Sequence, residues 1–154
     1  MVVFPLAVSP LKKMIQRLTG DPIKVPVTFV DNLNVAMILQ AVYRNGRFLR
    51  RCTAVEEIEG YYEDVGGVIT RAVFQWDPVT DSHEFRGLNN SFVLEEKIAV
   101  ILGYDDPRQI YNDLFLRSKI LKMMIDNDIV EYGKVNQVLF DFALKGVDGL
   151  PFVV

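Results

Sequence analysis

The stretch VAMILQAVYRNGRFLRR, residues 35–51, constrains the fold more than any other. Asn-Gly readily supplies positive φ at both central positions of a type I′ turn, and that turn joins two antiparallel strands through two residues. Val35 to Tyr43 is apolar enough to be a buried strand or a helix. The Asn45-Gly46 pair decides for a strand. Arg47 to Ile58 is then the returning strand, with only fair alternation of apolar and polar residues. Gly66-Gly67 marks the next reversal. VITRAVFQW follows as a strand with Thr70, Ala72, Phe74 and Trp76 on one face. Asp77-Pro78 stops it, and His83 to Arg86 makes a short partner strand. The middle of the chain reads as an antiparallel meander.

Helical periodicity flanks this meander. In SPLKKMIQRLTG, Ser9 is placed to cap and Pro10 suits the first helical position. Leu11, Met14, Ile15 and Leu18 share one face, Gly20 is the stop, and DPIKVP is an extended connector. Beyond the meander, a helix ending at Gly103 presents Leu94, Ile98, Ile101 and Leu102. A second helix opens with Asp106 as N-cap, Pro107 in the first turn and Gln109 completing a capping box. Its apolar stripe is Ile110, Leu114, Leu121, Met124 and Ile125. A third, from about Tyr132 to Lys145, uses Val135, Val138, Leu139 and Phe142 and ends at Gly146 and Gly149. The class is α+β: an N-terminal helix, an antiparallel β-meander, then three C-terminal helices.

With 154 residues, half of them hydrophobic, the chain suits a single packed domain over residues 11–154 behind an atypical segment, residues 1–10. A net charge of -3 gives no overall electrostatic case for nucleic acid, and none is expected as a partner. One cysteine, Cys52, excludes an internal disulfide and leaves too little sulfur for a thiolate zinc site, so a reducing cytoplasm fits. MVVFPLAVSP lacks a basic start and is broken by Pro5 and Pro10, so no signal peptide is expected.

No catalytic constellation emerges from the residues themselves. A Ser-His-Asp or Cys-His site needs a base. His83 is the single histidine, and its strand neighbour Glu84 points to the opposite face. His83 therefore reads as a surface residue. Glu56, Glu57, Glu59, Glu63 and Asp64 flank a turn without calcium-loop spacing, and read as a solvated acidic loop. Arg44, Arg47, Arg50 and Arg51 crowd one hairpin together with Tyr43 and Phe48. They suit phosphate or an acidic partner surface, or a solvated face neutralised by the glutamates downstream. No phosphate loop of the G-x-x-x-x-G-K-[ST] type and no G-x-G-x-x-G occurs.

An ordered set of segments goes further. MIQRLTGDPIKVPVTFVDNLN, GRFLRRCTAVEEIEG, AVFQWDPVTDSHEFRG, NNSFVLEEKIA and IYNDLFLRSKILKMMIDNDI carry it. The W-D-P-x-x-D-x-x-x-F arrangement is flanked by R-R upstream and L-R-x-x-I-L downstream. From about Lys12 onward the chain resembles the C-terminal part of archaeal secretion ATPases, the type II/type IV superfamily that powers pilus and archaellum assembly. The resemblance implies the C-terminal lobe of a RecA-like domain. It implies a hexameric ring of such subunits beneath an inner-membrane platform protein, at the cytoplasmic face of the membrane, with ATP and Mg as cofactors of the complete protein. The family's Walker A, Walker B, acidic and histidine boxes precede the matched segments. Here FPLAVSP, with Ala7 near the expected position, offers no histidine.

The resemblance therefore implies a fragment, a degenerate gene product or a cloned lobe. No catalytic residue, cofactor or metal is expected in this chain, and no ATP turnover by it alone. By the same resemblance Arg17, after the histidine box, and Arg50 and Arg51, on a core strand, are candidates for reaching nucleotide or a neighbouring subunit. Arg44 and Arg47 are candidates for a partner surface. An independent module that binds full-length ATPases or platform proteins is the alternative. Self-association is expected, with NVAMILQAV as an unpaired strand edge.

Overall fold

The computed structural model describes residues 10–154, so the Ser9 cap and the segment around Ala7 lie outside the described residues. The chain forms two compact units, one running to Gly103 and the other spanning Tyr104–Val154. The elements are a helix, a four-stranded antiparallel sheet and three further helices, an α+β arrangement.

In the first unit α1 spans Pro10–Thr19 and ends where Gly20 N–H returns to the Gln16 carbonyl. The sheet has the order β1 (Val35–Arg44), β2 (Arg47–Tyr62), β3 (Gly67–Asp77), β4 (Ser82–Phe85). The β1–β2 turn holds Asn45 at φ 48° and Gly46 at φ 73°, the paired positive φ values that a type I′ turn requires. Leu11 of α1 packs with Val30, Ala36 and Ile58, and Met14, Ile15, Ile38 and Val68 close the cluster. Leu11 and Ile58 are fully buried, each contributing about 1.5–3 kcal/mol of hydrophobic stabilisation. A 3-10 turn at Val27–Asn32 seats Val30 in this core and turns Asp31 toward β2, where it accepts from Tyr61 N–H at 2.6 Å.

Bulges account for the weak alternation of β2, which runs four residues beyond Ile58. Ile38 pairs with Ala54 and Leu39 with Cys52, leaving Thr53 as an extra residue. Against β3, Ile58 pairs with Thr70 and Gly60 with Ile69, so Glu59 is extra. Val73 is the extra residue of β3, between the Phe74–Val55 and Ala72–Glu56 pairs. Each insertion interrupts period-2 patterning. Thus Val73 is buried, whereas Ala72, expected to share a packed face with Phe74 and Trp76, is exposed.

The acidic stretch is not a solvated loop. Glu56 and Glu57 are buried on β2, and only Glu63 and Asp64 occupy the exposed turn. Glu57 reaches α2, which begins with a π-helical stretch, Val93–Ile98, and continues through Ala99–Leu102. Its carboxylate accepts from Ser91 Oγ at 2.5 Å, Phe92 N–H at 2.8 Å and Val93 N–H at 3.3 Å. Ser91 Oγ in turn accepts from Leu94 N–H at 3.0 Å. The first N–H groups of a helix have no partner within it; here a strand carboxylate and a serine hydroxyl supply theirs. Glu59 pairs with Arg71 at 2.5 Å, and Arg71 also donates to the Asn90 carbonyl at 2.9 Å. The buried face of α2 is Val93 and Ala99, while Ile101 and Leu102 are exposed, because the cap and the widened π turn rotate the periodic face.

In the second unit Asp106 caps, accepting from Arg108 N–H at 3.0 Å, with Pro107 in the first turn. Then α3 spans Ile110–Asp126 and α4 spans Tyr132–Lys145. Glu131 caps α4 through Gly133 and Lys134 N–H at 2.9 and 3.0 Å. The core is Ile120, Met124 and Val138, joined by Val135 and Phe142 and by Leu150, Phe152 and Val154 of the C-terminal segment. Ile120 takes the buried place expected of Leu121; Leu121, Ile125 and Leu139 are exposed.

Candidate functional site

The four hairpin arginines do not form one patch. Neighbouring strand residues face opposite ways, and β2 therefore sends Arg51 to one side and Arg50 to the other. Arg51 forks onto Asp81 of the β3–β4 turn: Nε donates to Oδ1 at 2.8 Å and Nη2 to Oδ2 at 2.9 Å. Bidentate pairs of this kind fix geometry as well as charge. Trp76 Nε1–H donates to the same Oδ1 at 2.9 Å. Arg44 Nη2 donates to the Val79 carbonyl at 2.9 Å, and its Nη1 lies 3.5 Å from Asp81 Oδ1. That Nη1 is buried and makes no hydrogen bond. The hairpin's charge is thus countered by Asp81 rather than by the glutamates downstream.

Local structure prepares Asp81 for this. Asp77 accepts from Val79 N–H at 2.8 Å and Thr80 Oγ1–H at 2.7 Å, closing the turn. Asp81 sits at φ 59°, with its N–H on the Asp77 carbonyl at 2.9 Å. Hydrogen bonds from Arg51 and then Trp76 hold the Asp81 carboxyl far below the usual carboxylate range. The bond to Asp81 in turn raises the Arg51 guanidinium. Thr80 first, then Val79 N–H, lowers Asp77. Phe85, the last residue of β4, stacks on Phe74 with ring centroids 4.6 Å apart.

Each residue of W-D-P-x-x-D-x-x-x-F, and the second arginine of R-R, therefore has a place in this clasp or beside it. His83 pairs with Trp76 in the β3–β4 register. It lies on the exposed edge strand, and its Nε2 is 2.8 Å from the Cys52 carbonyl. A carbonyl only accepts, so Nε2 carries the proton and cannot serve there as a base.

The other candidates separate. Arg47 stands opposite Arg44 in the hairpin register and is exposed. With Arg44, Asn45, Leu49, Arg51 and Asp81 it lines a cavity of about 490 Å³. Three guanidiniums against one carboxylate leave this cavity positive. Arg50 is exposed on the other face, and its carbonyl accepts from Arg51 Nη1 at 2.9 Å. Arg17 is exposed on α1, which packs over Ala36 and Ile38, at the other end of β1 from the hairpin turn. The structure thus unites Arg44, Arg47 and Arg51 and leaves Arg17 and Arg50 apart.

Chemically the cluster binds and positions. Arginine does not deprotonate at neutral pH, Asp81 is held ionised, and His83 Nε2 is committed as a donor. No group of three or more metal-ligating side chains occurs among the described residues, and no helix among them is long and apolar enough to cross a membrane. The central part of Asp81 was missed by sequence reasoning. Its signal was there in an aspartate four residues after a turn-capping aspartate.

No family profile matches the chain. It is 58% identical over 144 residues to the uncharacterized protein MJ0900 of Methanocaldococcus jannaschii, a match covering 94% of this chain. It is 33% identical over 110 residues, 71% of its length, to the uncharacterized protein MJ1287 of the same organism. The chain spans 26% of the length of MJ0900 and 39% of that of MJ1287.

Proposed function

We propose that this chain corresponds to the C-terminal, RecA-like lobe of a secretion-type ATPase that powers pilus or archaellum assembly or protein export, and that it does not hydrolyse ATP by itself. The observation that carries the reading is the convergence of Arg51, Trp76, Asp77 and Asp81, the residues of the family-like pattern, in one turn-stabilising clasp. The pattern then works as the corner of a lobe, independent of nucleotide chemistry. The matched stretch also occupies only 26% of MJ0900, which leaves room in that relative for a nucleotide-binding part. Without a phosphate loop and its lysine, nothing in this sequence cradles the β- and γ-phosphates. ATP and Mg belong to the complete protein in this reading, as do the hexameric ring, the inner-membrane platform protein and a place at the cytoplasmic face of the membrane. The positive cavity of Arg44, Arg47 and Arg51 is the side offered to an anionic group of a neighbouring subunit.

Two measurements test the proposal. Phosphate release from Mg-ATP by the purified chain is expected at the no-protein rate, and turnover that co-elutes with the chain refutes inactivity. The DNA upstream of Met1, read in all frames, is expected to encode a lysine phosphate loop followed by a histidine box. A second reading, a separate module that binds full-length ATPases or platform proteins, draws support from the bare apolar sheet surface of β1. Stable co-purification with a full-length secretion ATPase, together with an upstream region lacking a phosphate loop, would favour it.

A further inference from the structure

The sheet has one face on the core and one face without cover near the hairpin. Along β1, Ala36 and Ile38 turn toward the α1 cluster. Val35, Met37, Leu39, Ala41 and Tyr43 share the opposite face by strand periodicity. Val35, Met37, Leu39 and Tyr43 are 45, 64, 72 and 76% exposed. Phe48 of β2, paired with Tyr43, is 68% exposed. The solvent face of an antiparallel sheet is normally polar. Here no charged residue and no proline occurs between Val35 and Tyr43, and the one polar residue, Gln40, falls on the other face.

We propose that this face is an isologous interface, on which two copies of the chain pack sheet to sheet about a two-fold axis over β1. The five large side chains expose on the order of 600 Å² per copy, judged against about 150–250 Å² for a whole aromatic side chain. Two copies then bury on the order of 1,200 Å², above the roughly 1,000 Å² that a specific interface needs. Uncovered, such a patch is at the upper end of what monomers show, about 300–600 Å².

The pattern also suits a two-fold axis. The aromatic end, Tyr43 and Phe48, lies across small Ala41 from the aliphatic end, Val35 and Met37. An antiparallel partner lays one end over the other, with Leu39 near the axis. The single charge of this face at the hairpin end, Arg50, lies on β2 opposite Ala41 and is exposed; its apolar stem adds to the face while a long side chain of this kind keeps its guanidinium in water. Coplanar pairing of two β1 edges would leave these side chains in water, so the face, not the strand edge, is the contact. A two-fold contact closes at two copies, whereas a ring contact is heterologous. The inference stands on the surface alone and does not rest on the ATPase reading.

Analytical ultracentrifugation of the full chain tests it, over about 1–100 µM, where contacts of this size associate. The wild type is expected to pass from monomer to dimer. Leu39→Glu and Tyr43→Glu should each weaken dimerisation by at least about 30-fold, with far-ultraviolet circular dichroism and Trp76 emission unchanged. Arg47→Glu, on the opposite face of the same hairpin by register, should leave the dimer intact. A wild type that stays monomeric throughout, a dimer that both β1 variants preserve, or an assembly larger than two overturns the proposal.

Discussion

Removing the Glu57 carboxylate is the sharpest test of how the first unit is held together. Glu57 is 3% exposed and accepts three hydrogen bonds from the start of α2. In Glu57→Ala the hydroxyl of Ser91 can turn elsewhere, but the N–H groups of Phe92 and Val93 cannot. A hydrogen bond to a charged group contributes about 1.5–3 kcal/mol, and the 3.3 Å bond to Val93 belongs at the low end. The loss is therefore about 3–5 kcal/mol, a large part of the 5–15 kcal/mol typical of a domain. Glu57→Gln keeps the shape and one acceptor but turns an amide NH₂ toward backbone donors, costing about 1–3 kcal/mol. Trp76 is the single tryptophan and lies in the first unit, so its emission during urea unfolding reports on that unit. Ser91→Ala completes a double-mutant cycle, with an expected coupling of about 1–2 kcal/mol. Hydrogen exchange should show Phe92, Val93 and Leu94 losing protection first. If Glu57→Ala costs less than about 1 kcal/mol and these amides stay protected, the carboxylate does not anchor the helix.

Asp81→Asn should lower the urea midpoint at neutral pH. Because the folded carboxyl is depressed, the unfolded chain takes up the proton first, so the gap between wild type and variant is full above about pH 4 and narrows below it; a gap that widens on acidification contradicts the clasp. Glu56 is the opposite case, its carboxyl raised by burial. Glu56→Gln should stabilise at pH 7, and the gain should fade as the pH falls through the raised folded-state value and be gone below about 4, where the wild-type carboxyl is neutral in both states. Gly46→Val places a β-branched side chain at φ 73° and should cost about 1–2 kcal/mol in urea unfolding, whereas Asn45→Gly should be nearly neutral.

Local rules carried the sequence reading wherever one residue pair dictated the backbone. Asn45-Gly46 specified the hairpin, Asp77-Pro78 the end of β3, and Asp106-Pro107 the start of the helical hairpin, and each stands in the structure as expected. Pattern failed where the backbone slips. An extra residue at Thr53, Glu59 or Val73 changes which side chains face the core, and nothing in the composition of those strands announces it. Burial of Glu57 was hidden for a different reason. Its partners, Ser91 to Val93, lie more than thirty residues on, and a carboxylate's environment is not a property of its neighbours in sequence. The hairpin arginines were recognised as a charged cluster, but their sorting onto two faces needed the register. Arg51 acts with Arg44, thirty-five residues from its Val79 contact, and not with adjacent Arg50.

That sorting bears on what the family-like residues mean. Were W-D-P-x-x-D a catalytic motif, its acids would face an open site with shifted protonation suited to proton transfer. Instead Asp77 accepts from the turn, Asp81 is saturated by Arg51 and Trp76, and both carboxyls are lowered. Downstream, L-R-x-x-I-L behaves alike: Arg117 lies over the Phe142 ring at 5.4 Å and Ile120 is in the core of the second unit. These groups are used up in holding corners and helices together. The pattern's residues thus shape a turn and pack a helix in this structure. Beside these contacts the first unit carries an exposed apolar face on β1 and, next to the clasp, a positive cavity at the hairpin. Leu39→Glu and Arg47→Glu separate them: the first should abolish pairing of copies and the second should spare it, since Arg47 and Leu39 lie on opposite faces of one hairpin.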